Sequence, residues 1–181
     1  MKVTETNIEG CFIIEPKVFE DSRGYFFESY NLEVFNNMLE QSINFIQDNE
    51  SFSVKGTLRG LHYQEGEYAQ AKLVRVIEGE VLDIAVDIRE NSPTFGEHVS
   101  LILSGENKKQ LFVPRGFAHG FVVLSNTALF SYKCDNFYNK DSECGIIYND
   151  SELNIDWKLN NEELVISEKD KILPTLKNAI L

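Results

Sequence analysis

Short β-branched and aromatic runs follow one another along this chain, separated by glycine and polar turns, and the gaps are too short for the helical crossovers of a parallel sheet. The chain must therefore fold mainly as antiparallel strands. Candidate strands are Phe12–Ile14, Tyr25–Ser29, Asn44–Asp48, Thr57–Tyr63, Ala71–Ile77, Val81–Ile88, His98–Leu103, Gln110–Val113, Phe117–Leu124 and Ala128–Asp135. Glu78-Gly79-Glu80 joins two of them as a hairpin turn. Close, regular spacing of this kind predicts a mainly β fold, an antiparallel jelly-roll barrel with a few short helices.

The best helix is Leu32–Gln41, where Leu32, Phe35 and Leu39 form a stripe that Val34 and Met38 extend, with Asn31 as N-cap. It is expected to cover one end of the barrel. Residues 1–181 read as a single domain with a helical tail from about 158, whose helical stretch Ser167–Ile172 is limited by Pro174. With 43% hydrophobic and 12% aromatic residues, a chain of this length needs no disulfide or metal staple.

Charge excludes further classes. The 17 Lys and Arg against 29 Asp and Glu leave a formal charge of -12, which opposes general binding to nucleic acid or an anionic membrane. Cys11, Cys134 and Cys144 are odd in number and lack C-x-x-C spacing, so they read as reduced thiols. The start, MKVTETNIEG, has no apolar leader core, and the charge-free run Phe117–Phe130 is too short to span a bilayer. A cytoplasmic location is the expectation.

Polar residues at strand positions carry the functional information, because a barrel interior is otherwise apolar. Period-two alternation turns Tyr132 inward with Ala128, Phe130 and Cys134. Lys72 and Arg75 fall on opposite faces, so one of them points inward and needs an anionic partner. Arg59 and His62, three apart, would also fall on opposite faces, but a bulge at Gly60 would bring them to one side. His119 lies in Pro114-x-Gly116-x-x-His119, the second half-motif of the cupin barrels, where this histidine is usually a metal ligand. The His-x-His pair of the first half-motif is missing, since the other histidines are His62 and His98, so no metal site is expected.

Assembled in order, the motifs resemble those of the dTDP-4-dehydrorhamnose 3,5-epimerase family of cupin-fold sugar-nucleotide epimerases over nearly the whole chain. They are Asp21-x-Arg23-Gly24-x-Phe26-x-Glu28, Gln47-Asp48-Asn49-x-Ser51, Leu58-Arg59-Gly60-Leu61-His62-Tyr63-Gln64 and Lys72-Leu73-Val74-Arg75. After these come Asp83–Arg89 leading into Ser92-Pro93-Thr94-Phe95-Gly96, then Pro114–Phe121, Tyr132-Lys133, Asn149-Asp150 and Ile155-x-Trp157.

The resemblance implies a cofactor-free inversion at C3 and C5 of a 4-keto-6-deoxy sugar on a nucleotide diphosphate. In that reading His62 is the base, Tyr132 the acid, Lys72 the enolate stabiliser, and Asp170 the carboxylate that orients His62. Ser167-x-x-Asp170 is also a capping-box-like pattern, a competing reading of Asp170. Arg23, Arg59 and Lys72 are implied diphosphate contacts, and Glu28, Gln47 and Asn49 polar contacts to nucleotide or sugar. His119, Glu143 and Lys169 are further substrate-binding positions. Asp83 is expected to support His62 or the barrel core, and Phe19, Phe26 and Tyr138 to offer stacking faces for the thymine. The family also implies a homodimer with nucleotide contacts crossing its interface. The rivals are an epimerase acting at C3 or C5 alone on a related nucleotide-linked sugar, a metal-dependent cupin enzyme, and a non-catalytic sugar-nucleotide binding domain.

Overall fold

Strand Gln110–Val113 shows how the layers are built: Leu111 and Val113 point into one apolar cluster and Phe112, between them, into another. The same alternation runs through the molecule, seen in a computed structural model describing residues 1–181. In chain order the strands are β1 (Lys2–Glu5), β2 (Phe12–Glu15), β3 (Phe19–Asp21), β4 (Gly24–Phe26), β5 (Gln47–Val54), β6 (Thr57–Gln64), β7 (Lys72–Glu78) and β8 (Glu80–Asp87). They continue with β9 (His98–Ser104), β10 (Gln110–Val113), β11 (Phe117–Val123), β12 (Thr127–Cys134), β13 (Glu143–Gly145) and β14 (Val165–Ile166). One α-helix, α1 (Leu32–Leu39), follows β4.

Two sheets face each other. One has the order β1-β2-β10-β7-β12-β5 and the other β13-β6-β11-β8-β9, with β14 added to β6 as the one parallel pairing; β3 and β4 form a separate hairpin. Between the sheets lies a core that includes Val74, Val76 and Phe130 from the first and Ala85, Phe121 and Val123 from the second. This is the expected mainly β jelly-roll architecture.

Each sheet also has a covered outer face. Phe35 and Leu39 of α1, with Ile43, pack on Ile14, Leu73 and Phe112, and the rings of Phe35 and Phe112 meet edge-on at 5.5 Å. The helix thus covers the outer face of the first sheet, not a barrel end, and Leu32, Val34 and Met38 stay exposed. Asn31 caps it as expected, its side chain accepting from the Val34 N–H. The second sheet is covered by Ile146, Leu153, Trp157 and Leu176. Asp150 pins that segment, one oxygen accepting from the N–H groups of Glu152 and Leu153 and the other from that of Leu176.

Three sequence expectations need correction. The strand expected at Asn44–Asp48 lies at Gln47–Val54, because Ile43 and Phe45 pack with α1 while the more polar β5 pairs with β12 along its whole length. The strand Tyr25–Ser29 is only the end of the short β3–β4 hairpin. Beyond residue 158 the tail is built from single 3-10 turns, Asn161–Glu163, Asp170–Ile172 and Leu176–Asn178, so the helical stretch Ser167–Ile172 shrinks to its last turn. Strands β1, β13 and β14 are too short or too polar to stand out in the sequence.

The motif Asp83–Arg89 with Ser92-Pro93-Thr94 is a structural knot. Asp87, fully buried, accepts from the backbone and guanidinium of Arg89 and from the hydroxyls of Ser92 and Thr94. Burial alone would raise its pKa, but these donors bring it down to about 2. A carboxylate depressed in the folded state stabilises the fold above its unfolded pKa of about 3.9 and loses that contribution as pH falls through the folded value. Asp87→Asn should therefore cost on the order of 1–2 kcal/mol in urea unfolding at pH 7. The gap to the wild type should close between about pH 4 and pH 2.

Candidate active site

Backbone contact shapes the cavity. Strand β11 pairs with β6 as His119 to His62 and as Phe121 to Arg59, so the register shifts by one residue between them. Gly60 sits in that irregularity with φ +128, and a Cβ there would lie 2.6 Å from the Cα of Gly120. A Cβ on Gly120 would in turn meet the carbonyl oxygen of Arg59 at 2.7 Å. Paired glycines let the two strands close up, and the shift puts Arg59 and His62 on the wall of one cavity, as a bulge at Gly60 would require. This cavity, of about 620 Å³, opens between the sheets.

From β6, His62 meets Asp170, the imidazole Nε2 lying 2.7 Å from the carboxylate Oδ1 across 108 residues of sequence. Both Asp170 readings hold in part. Ser167 Oγ accepts from the Asp170 N–H, as a cap would, while the carboxylate itself turns to His62. Asp170 is 4% exposed. Burial pushes its pKa up, but the His62 hydrogen bond and charge, the Gly60 backbone and Ser167 together hold it below the usual carboxylate range.

The other sheet supplies Tyr132 and Lys72 to the same cavity. Tyr132 packs against the inter-sheet core, confirming its inward orientation. Burial raises its pKa, as does the neighbouring Cys134, and Arg59 opposes the rise. Lys72 shares the inward face of β7 with Val74 and Val76, so of the two cations on this strand it is Lys72 that points inward. Arg75 instead lies over the ring of Phe27 on the outside. The cavity floor is apolar, with Phe121 and Phe130 stacked at 4.2 Å. His119 lies over Phe130 and is held by Asp83, its Nε2 lying 2.9 and 3.0 Å from the two carboxylate oxygens. Of the two supports expected of Asp83, His62 or the barrel core, it gives the second, through the buried His119, and not the first. No group of three or more His, Cys, Asp or Glu side chains is arranged to hold a metal ion.

The remaining expected residues divide by position. Arg59, Asn49 and Lys169 line the cavity. Arg59 donates from Nε to the buried Ser53 Oγ at 3.2 Å, leaving the two ends of its fork uncommitted. Asn49 is steadied by Gln47, whose amide donates to it at 3.1 Å. Glu143 forms a salt bridge with Lys169 at 2.5 Å and accepts from the Tyr138 hydroxyl at 2.9 Å, so Tyr138 joins the same cluster. Its carboxyl stays below the usual range because these bonds outweigh burial. Arg23, Glu28, Phe19 and Phe26 are not brought to this cavity. Arg23 is paired with Asp21 on the exposed β3–β4 hairpin, Phe19 and Phe26 face each other across it, and Glu28 accepts from Asn31.

Sequence reasoning gave no role to Ser53, and named Ser51 only within a motif and Ser167 only as a cap. Ser51 and Ser53 follow Asn49 at period two along β5, beyond the end of a strand Asn44–Asp48.

A two-sheet barrel whose His–Asp pair shares one cavity with a tyrosine and a half-buried lysine defines a cupin-like epimerase class. The family model for dTDP-4-dehydrorhamnose 3,5-epimerase matches residues 5–178, and the chain belongs to that family. It is 52% identical over 180 residues to the dTDP-4-dehydrorhamnose 3,5-epimerase of Escherichia coli strain K12, covering 99% of this chain and 97% of that one. The crystal structure of dTDP-4-dehydrorhamnose 3,5-epimerase from Elizabethkingia anophelis superposes with TM-score 0.95 at 57% identity, covering 98% of this chain and 97% of that one. The Legionella pneumophila enzyme in complex with dTDP-4-keto-L-rhamnose gives TM-score 0.94 at 50% identity, covering 98% and 93%.

Because Gly60 has both a left-handed φ and a backbone neighbour inside van der Waals distance, Gly60→Ala should destabilise the fold by at least about 2 kcal/mol in urea unfolding.

Proposed function

We propose that this chain inverts C3 and C5 of dTDP-4-dehydro-6-deoxy-D-glucose, giving dTDP-4-dehydro-L-rhamnose in the dTDP-L-rhamnose pathway. One observation carries the mechanism: His62, with its carboxylate partner, and Tyr132 stand on opposite sheets and line the same cavity. Each inversion needs a proton removed from one face of the ring and another delivered to the opposite face.

Both carbons flank the C4 ketone, so loss of a proton places the C–H electron pair on the carbonyl oxygen as an enolate. His62 takes the proton, with Asp170 fixing the ring and stabilising the imidazolium. The Lys72 ammonium faces the enolate oxygen, where a cation in a desolvated site acts most strongly. Tyr132, held protonated by burial, donates to carbon from the other side, and solvent restores both groups. No net charge is transferred and no redox partner is consumed. Ring and ketone rest on the apolar floor of Phe121 and Phe130, while the uncommitted fork of Arg59 suits diphosphate oxygens. Asn49, His119 and Lys169 complete the polar lining for sugar and nucleotide, with Gln47 and Glu143 bonded to Asn49 and Lys169 beside it, and Tyr138 offers a stacking face.

Arg23, Glu28 and Phe19 lie away from the cavity of their own chain, which supports a homodimer in which the β3–β4 hairpin reaches the partner's site. Residues 1–181 act as one domain in this reading, in the cytoplasm; no helix is long and apolar enough to cross a membrane.

Turnover in deuterium oxide tests the reaction. The account predicts deuterium at both C3 and C5 of the product by NMR, whereas label at one carbon alone would identify a single-site epimerase. Asp170→Asn keeps the shape of the His62 partner but removes its charge, and should lower kcat by about 10²–10³-fold with little change in KM.

A further inference from the structure

The tail that carries Asp170 is exposed on either side of it: Ser167, Glu168, Lys169, Lys171 and Ile172 lie in solvent, and Asp170 alone turns inward to His62. Its own turn cannot fix it there. The Asp170 N–H donates to the hydroxyl and carbonyl oxygens of Ser167, which shapes the turn but ties it to nothing outside the tail. Lys169 reaches Glu143 of β13, but its ammonium is exposed, and ion pairs of that kind contribute little. Upstream, β14 is seated only at Thr57 and Leu58, the start of β6.

Downstream the hold is firmer, and it is built on the strand beside His62. β13 pairs with β6 so that Gly145 stands opposite His62. The side chain of Leu173 lies on that glycine, where an added Cβ would come within 2.8 Å of it. Past the end of β13, Ile146 exchanges backbone hydrogen bonds with Leu61, and the Ile147 N–H donates to the Pro174 carbonyl at 2.8 Å. A turn closed by the Asp150 N–H on the Ile147 carbonyl then presents the buried Asp150 carboxyl, which accepts from the Leu176 N–H at 2.7 Å. The N–H groups of Glu152 and Leu153 hold its other oxygen. Leu176 is 5% exposed, so its N–H has no solvent to turn to if that acceptor is lost. The links close a loop from His62 through Gly145 and Ile147 to Leu173–Leu176, and back through Asp170 to His62. Asp150 does not line the cavity.

We propose that Asp150 is a positioning residue for the epimerase reaction: by accepting the Leu176 N–H it locks the tail onto the segment that continues β13, and so holds the Asp170 carboxylate against the imidazole of His62. This deepens the reading of His62 as the base and rests on it. The base must keep one orientation while it gains and loses a proton, and a supporting group misplaced by about 1 Å can cost about 10²-fold in rate. Asparagine at position 150 keeps one oxygen for Glu152 and Leu153 but turns an NH₂ donor on the Leu176 N–H. Two donors then meet, and the tail loses its anchor.

The test reads His62 directly. In protein labelled with ¹⁵N-histidine, the His62 ring signals of Asp150→Asn should move toward those of Asp170→Asn, while those of His98 stay in place. The same variant should lower kcat by about 10–10²-fold, with KM changed less than about threefold. In an Asp170→Asn background, Asp150→Asn should lower kcat by less than about a further twofold, because the carboxylate it positions is already gone. Unmoved His62 signals overturn the proposal. So does a loss of kcat that multiplies in full onto that of Asp170→Asn, which is what a purely structural role would give. Should Asp150→Asn fail to fold, hydrogen exchange of the wild type decides: one opening must free the Leu176 and Asp170 N–H groups together, with protection factors equal within about threefold, and unequal protection overturns the proposal. A wild-type enzyme that puts no deuterium into product would instead refute the epimerase reading, and the His62 signals would still judge the positioning.

Discussion

The close approach of β6 and β11 at Gly60 and Gly120 is the constraint on which the site depends. Without the one-residue register shift it permits, alternation would send Arg59 and His62 to opposite faces of the second sheet, one toward the cavity and the other toward the covering tail. The shift places the Arg59 guanidinium and the imidazole of His62, the proposed base, on the wall of one cavity. The tail then closes over them, and its 3-10 turn brings Asp170 to His62. A backbone contact between two residues with no side chains thus decides where the chemistry sits.

Electrostatics inside this frame run against the charge of the whole molecule. A chain with formal charge -12 lines its cavity with Arg59, Lys72 and Lys169. Acidic residues at the surface favour solubility and are screened within about 8–10 Å in physiological salt. Arg59 and Lys169 are exposed and Lys72 half-buried, so it is their convergence on one cavity that suits an anionic substrate. Two His–Asp pairs serve different ends here. His62–Asp170 is partly open to the cavity, whereas His119–Asp83 is buried.

Most of the barrel was legible because β7, β8, β10, β11 and β12 are runs rich in β-branched and aromatic side chains, several of them buried on both faces, with boundaries within a residue or two of the sequence reading. Legibility failed where tertiary packing overrode the local pattern. Ile43 and Phe45 look like strand residues but pack on α1, and the tail follows the outer surface of the second sheet in turns too short for a helical period. At the site, the inward orientations of Tyr132 and Lys72 followed from period two. The partners of His62 and His119 did not, since Asp170 and Asp83 are 108 and 36 residues away and only the fold selects between them. Family resemblance supplied Asp170 and the roles, while the physical reading of Asp83 needed coordinates.

The central claim is that proton removal and proton delivery are done by different residues on opposite sheets. Exchange into unreacted substrate separates the two acts. In deuterium oxide, Tyr132→Phe should exchange C–H for C–D in recovered substrate through His62 while forming almost no inverted product, and His62→Asn should do neither. Exchange that survives in His62→Asn, or that vanishes in Tyr132→Phe while His62→Asn still turns over, would contradict the assignment.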